Sequence, residues 1–303
     1  MPTEIEHSRD APDGARLRGA ERLIWRSPAV DHLDLRDARL RSVTVDGIRG
    51  PLTLRLPPTV EHLSLTGQLE STRLDVSPDA ALLVQLWGDV GEGMPAGLTP
   101  ATSLEISDSS RVDLSPLRTM SALRELTVRN VPGPVTGCAA IAAASALERI
   151  AFMRCYDIDA AAFPPYTALP RLTWISFDDV SSADAKLLRL RIDGFWNGHV
   201  RHPRSPRWLR ANDDNPFRTW EDDDPALGHA ATALWRRARA RLRHPAATAD
   251  DELVVRQLAD ALDRLSEERP FDTLRREQAS GAVQDLARES LGPDDPLMRW
   301  ETA

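Results

Sequence analysis

The sequence predicts an α/β solenoid, a stack of about seven coils with parallel strands, followed by a small C-terminal helical bundle. Three observations predict it. Pairs of apolar residues separated by one position recur between residues 30 and 192, at steps of 20 to 25 residues. A second series of such pairs lies half a period out of step over residues 30–117. After Ile192 the pattern stops, and three amphipathic segments follow.

Each pair of the first series predicts one strand. The pairs are Val43/Val45, Leu63/Leu65, Val84/Leu86, Leu104/Ile106, Leu126/Val128, Ile150/Phe152 and Ile175/Phe177. Because side chains alternate between the two faces of a strand, both members of a pair point to the core and the residue between them points outward. A coil of this length cannot bury its apolar face unless it stacks on its neighbours, so the period is typical of a solenoid.

The second series predicts another extended segment in each early coil, on the opposite side of the solenoid. Its pairs are Leu33/Leu35, Leu54/Leu56, Leu74/Val76 and Val112/Leu114. From about residue 118 the coils lengthen, and the half-period position is filled by helical or irregular segments. The small-residue run that begins at Cys138 predicts one or two helical turns.

One segment matches a known repeat consensus. Residues 147–155 read Leu-Glu-Arg-Ile-Ala-Phe-Met-Arg-Cys, which fits L-x-x-L-x-L-x-x-N/C at every position. Residues 123–128 and 172–177 match its first six positions. Residues 30–192 therefore resemble the leucine-rich-repeat proteins, and the resemblance implies a concave surface on which a partner docks. The ninth position departs from Asn or Cys at Ile48, Gln68, Asp89, Ser109, Val131 and Val180.

The chain is expected to have four parts. They are an N-terminal tail or cap (1–29), the leucine-rich-repeat-like solenoid (30–192), a connector that caps the solenoid (193–224) and a three-helix module (225–303). The first helix of the module is expected to begin with Asp224 as N-cap and the second with Thr248. The third is expected to run from about residue 271 to 291, with Leu274, Val283 and Leu286 facing inward.

Composition excludes several classes of function. A net charge of −8 and a pI near 5.4 argue against general binding to nucleic acid or to an anionic membrane, because both need a positive field. Lys186 is the only lysine, and this dominance of arginine is typical of a GC-rich bacterial genome. No apolar stretch is long enough to cross a membrane, and the polar N-terminus has no secretory apolar segment. A cytoplasmic protein is expected.

Candidate catalytic and metal-binding residues have simpler structural explanations. Cys155-Tyr-Asp157 resembles the C-x-D motif that carries the nucleophile in bacterial effector ubiquitin ligases with leucine-rich repeats. In those proteins the motif lies in a separate helical domain, whereas Cys155 is at the ninth position of a repeat, where a buried cysteine is expected. His199 and His202 lie among arginines that oppose a cation, and the acids of residues 221–224 precede a helix N-terminus. We predict no metal and no cofactor.

The expected binding site is an outward-facing patch on the later strands. It consists of Trp87, Glu125, Arg129, Arg149, Met153, Trp174 and Asp178. Trp and Arg are the residues most enriched at binding hot spots. The sequence therefore favours a non-catalytic interaction scaffold, inhibitor or regulator whose partner is another protein. The alternative is an effector-like enzyme, for example ubiquitin-ligase-like, that uses Cys155 or the C-terminal helices. A nucleic-acid accessory protein is a third, less supported reading.

Overall fold

The computed structural model describes most of the chain. The described residues are 4–8, 10, 17, 19–91, 93–212, 214–242 and 251–290. They belong to two compact units, Met1–Leu209 and Arg210–Ala303. The first unit is built mainly from β-strands and the second from α-helices.

Parallel strands dominate the first unit. The strands are β1 (Glu4–Ser8), β2 (Arg22–Arg26), β3 (His32–Asp34), β4 (Ser42–Ile48), β5 (Leu52–Arg55), β6 (His62–Gln68), β7 (Thr72–Asp75), β8 (Leu82–Asp89), β9 (Ala101–Ser107), β10 (Val112–Asp113), β11 (Glu125–Thr136), β12 (Arg149–Ile158), β13 (Trp174–Asp178) and β14 (Gly198–Arg201). Strands β3, β5 and β7 form a three-stranded sheet, and the others form an 11-stranded sheet. In both sheets of the described chain, paired strands run parallel.

The parallel strands predicted at the apolar pairs are confirmed. The pairs lie within strands of the large sheet, from Val43/Val45 in β4 to Ile175/Phe177 in β13. Leu126 of β11 is in parallel register with Leu104 of β9. The chain therefore has an α/β fold, with a mostly parallel sheet and a C-terminal helical region.

The second series of pairs gives two different outcomes. Leu33, Leu54 and Leu74 lie in register in the three-stranded sheet, as the half-period spacing predicts. Val112 instead pairs with Val135 in the large sheet, because β11 continues to Thr136 and reaches β10. A 3-10 helix at Cys138–Ala143 confirms the helical turns predicted there.

The large sheet extends beyond residues 30–192 at both ends. Strands β1 and β2 lie within residues 1–29, where a tail or cap is expected, and they pair with each other in parallel. Leu23 and Trp25 are fully buried and continue the apolar alternation one period before Val43. At the other end β14 pairs with β13. This strand contains one large apolar residue, Val200, so the pattern of apolar pairs did not predict it.

A left-handed backbone residue follows the outward-facing part of successive strands. These residues are Ser27, Gly47, Gly67, Gly88, Asp108, Asn130, Arg154 and Asp179. At Gly67, a Cβ atom would come within 2.2 Å of the Ile48 carbonyl oxygen. Glycine is required there both by the positive φ and by this close approach of backbone to backbone. The left-handed residue recurs at the equivalent position of each strand, two residues after the second apolar residue of its pair.

The second unit contains the three predicted helices and short segments before them. The structure places α-helices at α1 (Ser182–Arg191), α2 (Pro206–Ala211), α3 (Trp220–Asp223), α4 (Pro225–Leu242), α5 (Asp251–Glu268) and α6 (Thr273–Ser290), of which α3 to α6 lie in the second unit. The carboxylate of Asp224 accepts a hydrogen bond from the Leu227 amide at 3.0 Å, which confirms the predicted N-cap of α4. Trp220 and Trp235 pack around Phe217 in the core of this unit. Thr248 lies outside the described residues.

One residue predicted to face the core of this unit does not. Val283 and Leu286 of α6 are buried, as expected, but Leu274 is 63% exposed. Leu274 and Val283 are nine positions apart, which is about two and a half turns of helix and places them on opposite sides. The inward face of α6 is completed by Ala279 and Ala287.

The predicted connector, residues 193–224, contains defined structure on both sides of the boundary between the units. Strand β14 and helices α2 and α3 lie within it. Its tryptophans differ in environment, because Trp196 is 84% exposed, Trp208 is half-buried and Trp220 is buried. The capping role expected for this segment stays a prediction.

Candidate protein-binding face

The outward-facing side chains of the large sheet form registered rows on the face opposite the core, which we call the polar face. The first row consists of His62, Leu83, Ser103, Glu125, Arg149 and Trp174. The second row consists of Thr66, Trp87, Ser107, Arg129, Met153 and Asp178. Neighbouring strands are about 4.8 Å apart. The seven residues of the predicted patch therefore lie in two rows, three in the first and four in the second.

In the first row, Arg149 connects an acid to an aromatic ring. Its guanidinium carbon lies 5.1 Å from the centroid of the Trp174 ring, and its Nε is 3.8 Å from a carboxylate oxygen of Glu125. The side chains of Arg149 and Glu125 are more than half exposed, at 56% and 54%. Solvent screening makes such an ion pair weak, so its main effect is on the direction of the arginine side chain.

In the second row, Arg129 is held more tightly. Its guanidinium carbon lies 5.1 Å from the centroid of the Trp87 ring, and its Nε donates a hydrogen bond to Ser107 Oγ at 2.9 Å. It also forms an ion pair with Glu105, whose carboxylate accepts a hydrogen bond from Gln85 at 3.2 Å. We call these five residues the Arg129 cluster. It fixes one arginine against one aromatic ring on the polar face.

The remaining two residues of the predicted patch extend the second row. Met153 is half-buried and in register with Arg129 on one side and Asp178 on the other. A carboxylate oxygen of Asp178 lies 2.8 Å from Nδ1 of His202. His199 contacts Asn197 instead. The two histidines therefore have separate partners, and the described residues contain no group of three or more His, Cys, Asp or Glu side chains arranged to hold a metal ion.

Sequence reasoning left Glu105 and Ser107 out of the patch. Strand alternation identifies both as outward-facing, but neither is a residue type that is enriched at binding hot spots. The structure gives them a supporting role, because they position Arg129. The period of the apolar pairs could have identified Ser107, because it aligns this residue between Trp87 and Arg129 on neighbouring strands.

A groove lies on the same polar face, over earlier strands. Its volume is about 620 Å³. It is lined by Glu21, Arg22, Arg41, Ser42, Thr44, His62, Leu63, Ser64, Leu83, Val84, Gln85, Ser103 and Glu105. None of the seven residues of the predicted patch lines it, although Gln85 and Glu105 belong to the Arg129 cluster. The patch therefore occupies an open part of the face beside the groove.

Cys155 is buried, as the repeat position predicts. Its side chain is fully inaccessible to solvent, and the thiol lies 3.4 Å from the Val128 carbonyl oxygen as a hydrogen-bond donor. Burial raises the pKa of the thiol to about 12. The reactive form of cysteine is the thiolate, so these surroundings disfavour nucleophilic chemistry at neutral pH.

Two arginines of α4 and one acid before it have partners within the helical unit. Arg241 donates to Gln257 of α5, and Arg236 donates to Asn212. Asp224 caps α4 and also pairs with Arg269 at 3.0 Å. Hydrogen bonding to the Leu227 amide lowers the pKa of the Asp224 carboxyl group. These contacts account for Arg236, Arg241 and Asp224 as parts of the fold.

Comparison with known proteins assigns no family to this chain. No family model matches the sequence, and a search of curated proteins gives no match. Among the described residues, no helix is long and apolar enough to span a membrane. The rows and contacts of the polar face are therefore the basis for a functional proposal.

Proposed function

We propose that the strand-rich unit is a leucine-rich-repeat-like solenoid that acts in the cytoplasm as a non-catalytic scaffold, inhibitor or regulator. Its partner is another protein, bound on the polar face, which is the concave face of the solenoid. The recurrence of one parallel strand at each period and the repeated left-handed turn support the solenoid. The binding site is centred on the predicted patch and the Arg129 cluster.

The arrangement of Arg149 and Trp174 carries this proposal. Both side chains are accessible, and Arg149 lies over the ring of Trp174. Holding side chains in place lowers the entropy cost of ordering them on binding. Arg149 and Trp174 are also of the residue types that dominate protein interfaces. An open, mixed charged and aromatic face suits a protein or peptide, whereas small molecules need an enclosing pocket.

The enzyme alternative finds less support in the geometry. Cys155 is inaccessible, its pKa is raised, and it is a hydrogen-bond donor to a backbone carbonyl. A nucleophilic cysteine needs access to substrate and a stabilised thiolate. Cys155 is therefore best explained as a core residue of its strand.

A capture experiment tests the proposed site. The full chain and an Arg149→Ala/Trp174→Ala variant are used as bait in native cytoplasm, and captured proteins are identified and then titrated in purified form. We expect the double substitution to weaken binding of the specific partner by at least about 2 kcal/mol, which is the scale of a hot-spot residue.

The matched control is Arg55→Ala. Arg55 also forms ion pairs through an exposed side chain, with Asp34 and Asp75, but it lies in the three-stranded sheet. Its removal is expected to leave affinity unchanged. Equal affinity of the wild type and the Arg149→Ala/Trp174→Ala variant for the partner would show that the binding site lies outside this patch.

A further inference from the structure

Helix α1 is apolar on two opposite sides. Its inner side, Ala185 and Leu188, is buried in the core of the first unit. On its outer side, Leu187 is 42% exposed and Leu190 is 73% exposed. At about 100° per residue, Leu187 and Leu190 project within about 60° of each other, away from the buried side. Single exposed leucines are common, but two on one helical face form a surface that favours a partner.

Charged residues of opposite sign flank this outer face. Lys186 is exposed beside Leu187, and Asp193 is exposed just after the C-cap residue Ile192. Lys186 lies in the N-terminal half of α1 and Asp193 lies two residues beyond its last helical residue, Arg191, so the two charges are about 10 Å apart along the helix axis. That distance is too long for Lys186 and Asp193 of the same chain to form an ion pair with each other. Each charge is therefore available to a partner.

We propose that the outer face of α1 binds the same face of a second copy of this chain, with the two helices antiparallel. A two-fold axis between positions 188 and 189 places Leu187 of each copy against Leu190 of the other. The same axis brings Lys186 of each copy to Asp193 of the other, so one charge pair forms twice. An interface that is complementary to itself in this way is the pattern of a two-fold homodimer.

The other flank has the same complementarity of sign. The axis brings Asp184 of one copy toward Arg191 of the other. Both residues already have contacts within their own chain, Asp184 with the Ser181 hydroxyl and Arg191 with the Ala161 carbonyl oxygen. The electrostatic contribution to pairing is therefore assigned mainly to Lys186 and Asp193.

This contact is independent of the proposed partner site. The buried side of α1 joins the core beneath the large sheet, and the polar face lies on the opposite side of that sheet. A dimer through α1 thus leaves the polar face of each copy open. Two helices of 10 residues bury less area than the roughly 1,200–2,000 Å² of a stable interface, so the dimer is expected to be weak and dependent on concentration.

Charge reversal in the full chain tests the proposal. Sedimentation equilibrium over a concentration series is expected to show a monomer–dimer equilibrium for the wild type. Lys186→Glu and Asp193→Lys are each expected to weaken the dimer by about tenfold or more, because each places like charges together. Mixing the two variants is expected to restore the dimer, since every contact in the mixed dimer again joins opposite charges. Arg171→Glu, at an exposed position outside α1, is the control.

Two further measurements make the test decisive. Leu190→Glu is expected to abolish the dimer while circular dichroism shows an unchanged fold, because Leu190 is exposed. Lys186 is the only lysine, so peptide mapping after treatment with an amine reagent measures labelling at this one side chain, separately from the α-amino group, and that labelling is expected to slow as the protein is concentrated. A wild type that stays monomeric at the highest attainable concentration overturns the proposal. So does a dimer that survives both charge reversals or is not restored by mixing.

Discussion

The guanidinium group of Arg129 lies over the indole ring of Trp87, although strand β9 runs between their strands. The position between them is Ser107, which is in register with both residues and accepts a hydrogen bond from Arg129. A small side chain there allows the long arginine to span two strand spacings, about 10 Å. The contact between Arg129 and Trp87 thus depends on a third residue, Ser107, on the strand between them.

The Glu105 carboxylate is expected to contribute more stability than the Glu125 carboxylate. The side chains of Glu105 and its partner Arg129 are only 18% and 29% exposed, whereas Glu125 and its partner Arg149 are both more than half exposed. Glu105→Ala should lower the free energy of unfolding by about 1–3 kcal/mol, because it leaves a partly buried arginine without its acid. Glu125→Ala should cost about 0.5 kcal/mol or less. Urea denaturation of both variants measures the difference, and equal losses would contradict the expectation.

Glycine at position 67 is expected to be required for the fold. A Cβ atom at Gly67 would lie 2.2 Å from the Ile48 carbonyl oxygen, and its φ is +125°. Gly67→Ala should therefore destabilise the protein by roughly 3 kcal/mol or more through strain and displacement of β4 from β6. Gly50→Ala is the matched control, because a Cβ atom there meets nothing within 4 Å. Thermal unfolding of the two variants compares them. A near-native melting temperature for Gly67→Ala would show that the turn can relax.

The buried thiol of Cys155 predicts a loss of stability at alkaline pH. Burial raises its pKa from 9.0 to about 12, so it stays neutral in the folded protein while the thiol of the unfolded chain ionises. Its stabilising contribution is complete below about pH 9 and is lost as the pH rises toward 12.

The slope of this loss is at most about 1.4 kcal/mol per pH unit. Cys155→Ala should have a shallower decline of unfolding free energy between pH 8.5 and pH 10.5 than the wild type. Parallel pH profiles of the two proteins would contradict the assignment. In the native wild type at neutral pH, a thiol reagent should label Cys155 slowly, and in urea rapidly.

The C-terminal limit of the sheet predicts how truncated chains behave. A fragment that ends at Ile192 lacks β14 and leaves the backbone of β13 unpaired at the sheet edge. Exposed edges of this kind promote aggregation. A fragment that ends at Leu209, the boundary of the first compact unit, retains β14 and should be the more soluble of the two. Light scattering of both fragments at equal concentration tests this. Equal solubility would mean that β14 does not protect the edge.

Much of the first unit could be predicted from local sequence. Leu126 and Val128 are buried and Thr127 is half-exposed, as alternation along a single strand requires. The rows of the polar face followed from the same rule, because the period fixed which strand lay beside which. Strand β14 could not be found in this way. It pairs with β13 through the backbone, and its sequence contains no apolar pair that would predict a strand.

The sequence by itself determined the seven strands at the apolar pairs of residues 30–192, the burial of the two apolar residues of each pair, and that Arg149 and Trp174 share a row. These properties depend on a two-residue alternation and a period in the low twenties, both of which are local. Only the tertiary structure decided that Arg129 reaches Trp87 across Ser107, and that Leu187 and Leu190 remain uncovered on α1. Those outcomes depend on which side chains meet across strands and helices, and on how much space their neighbours leave.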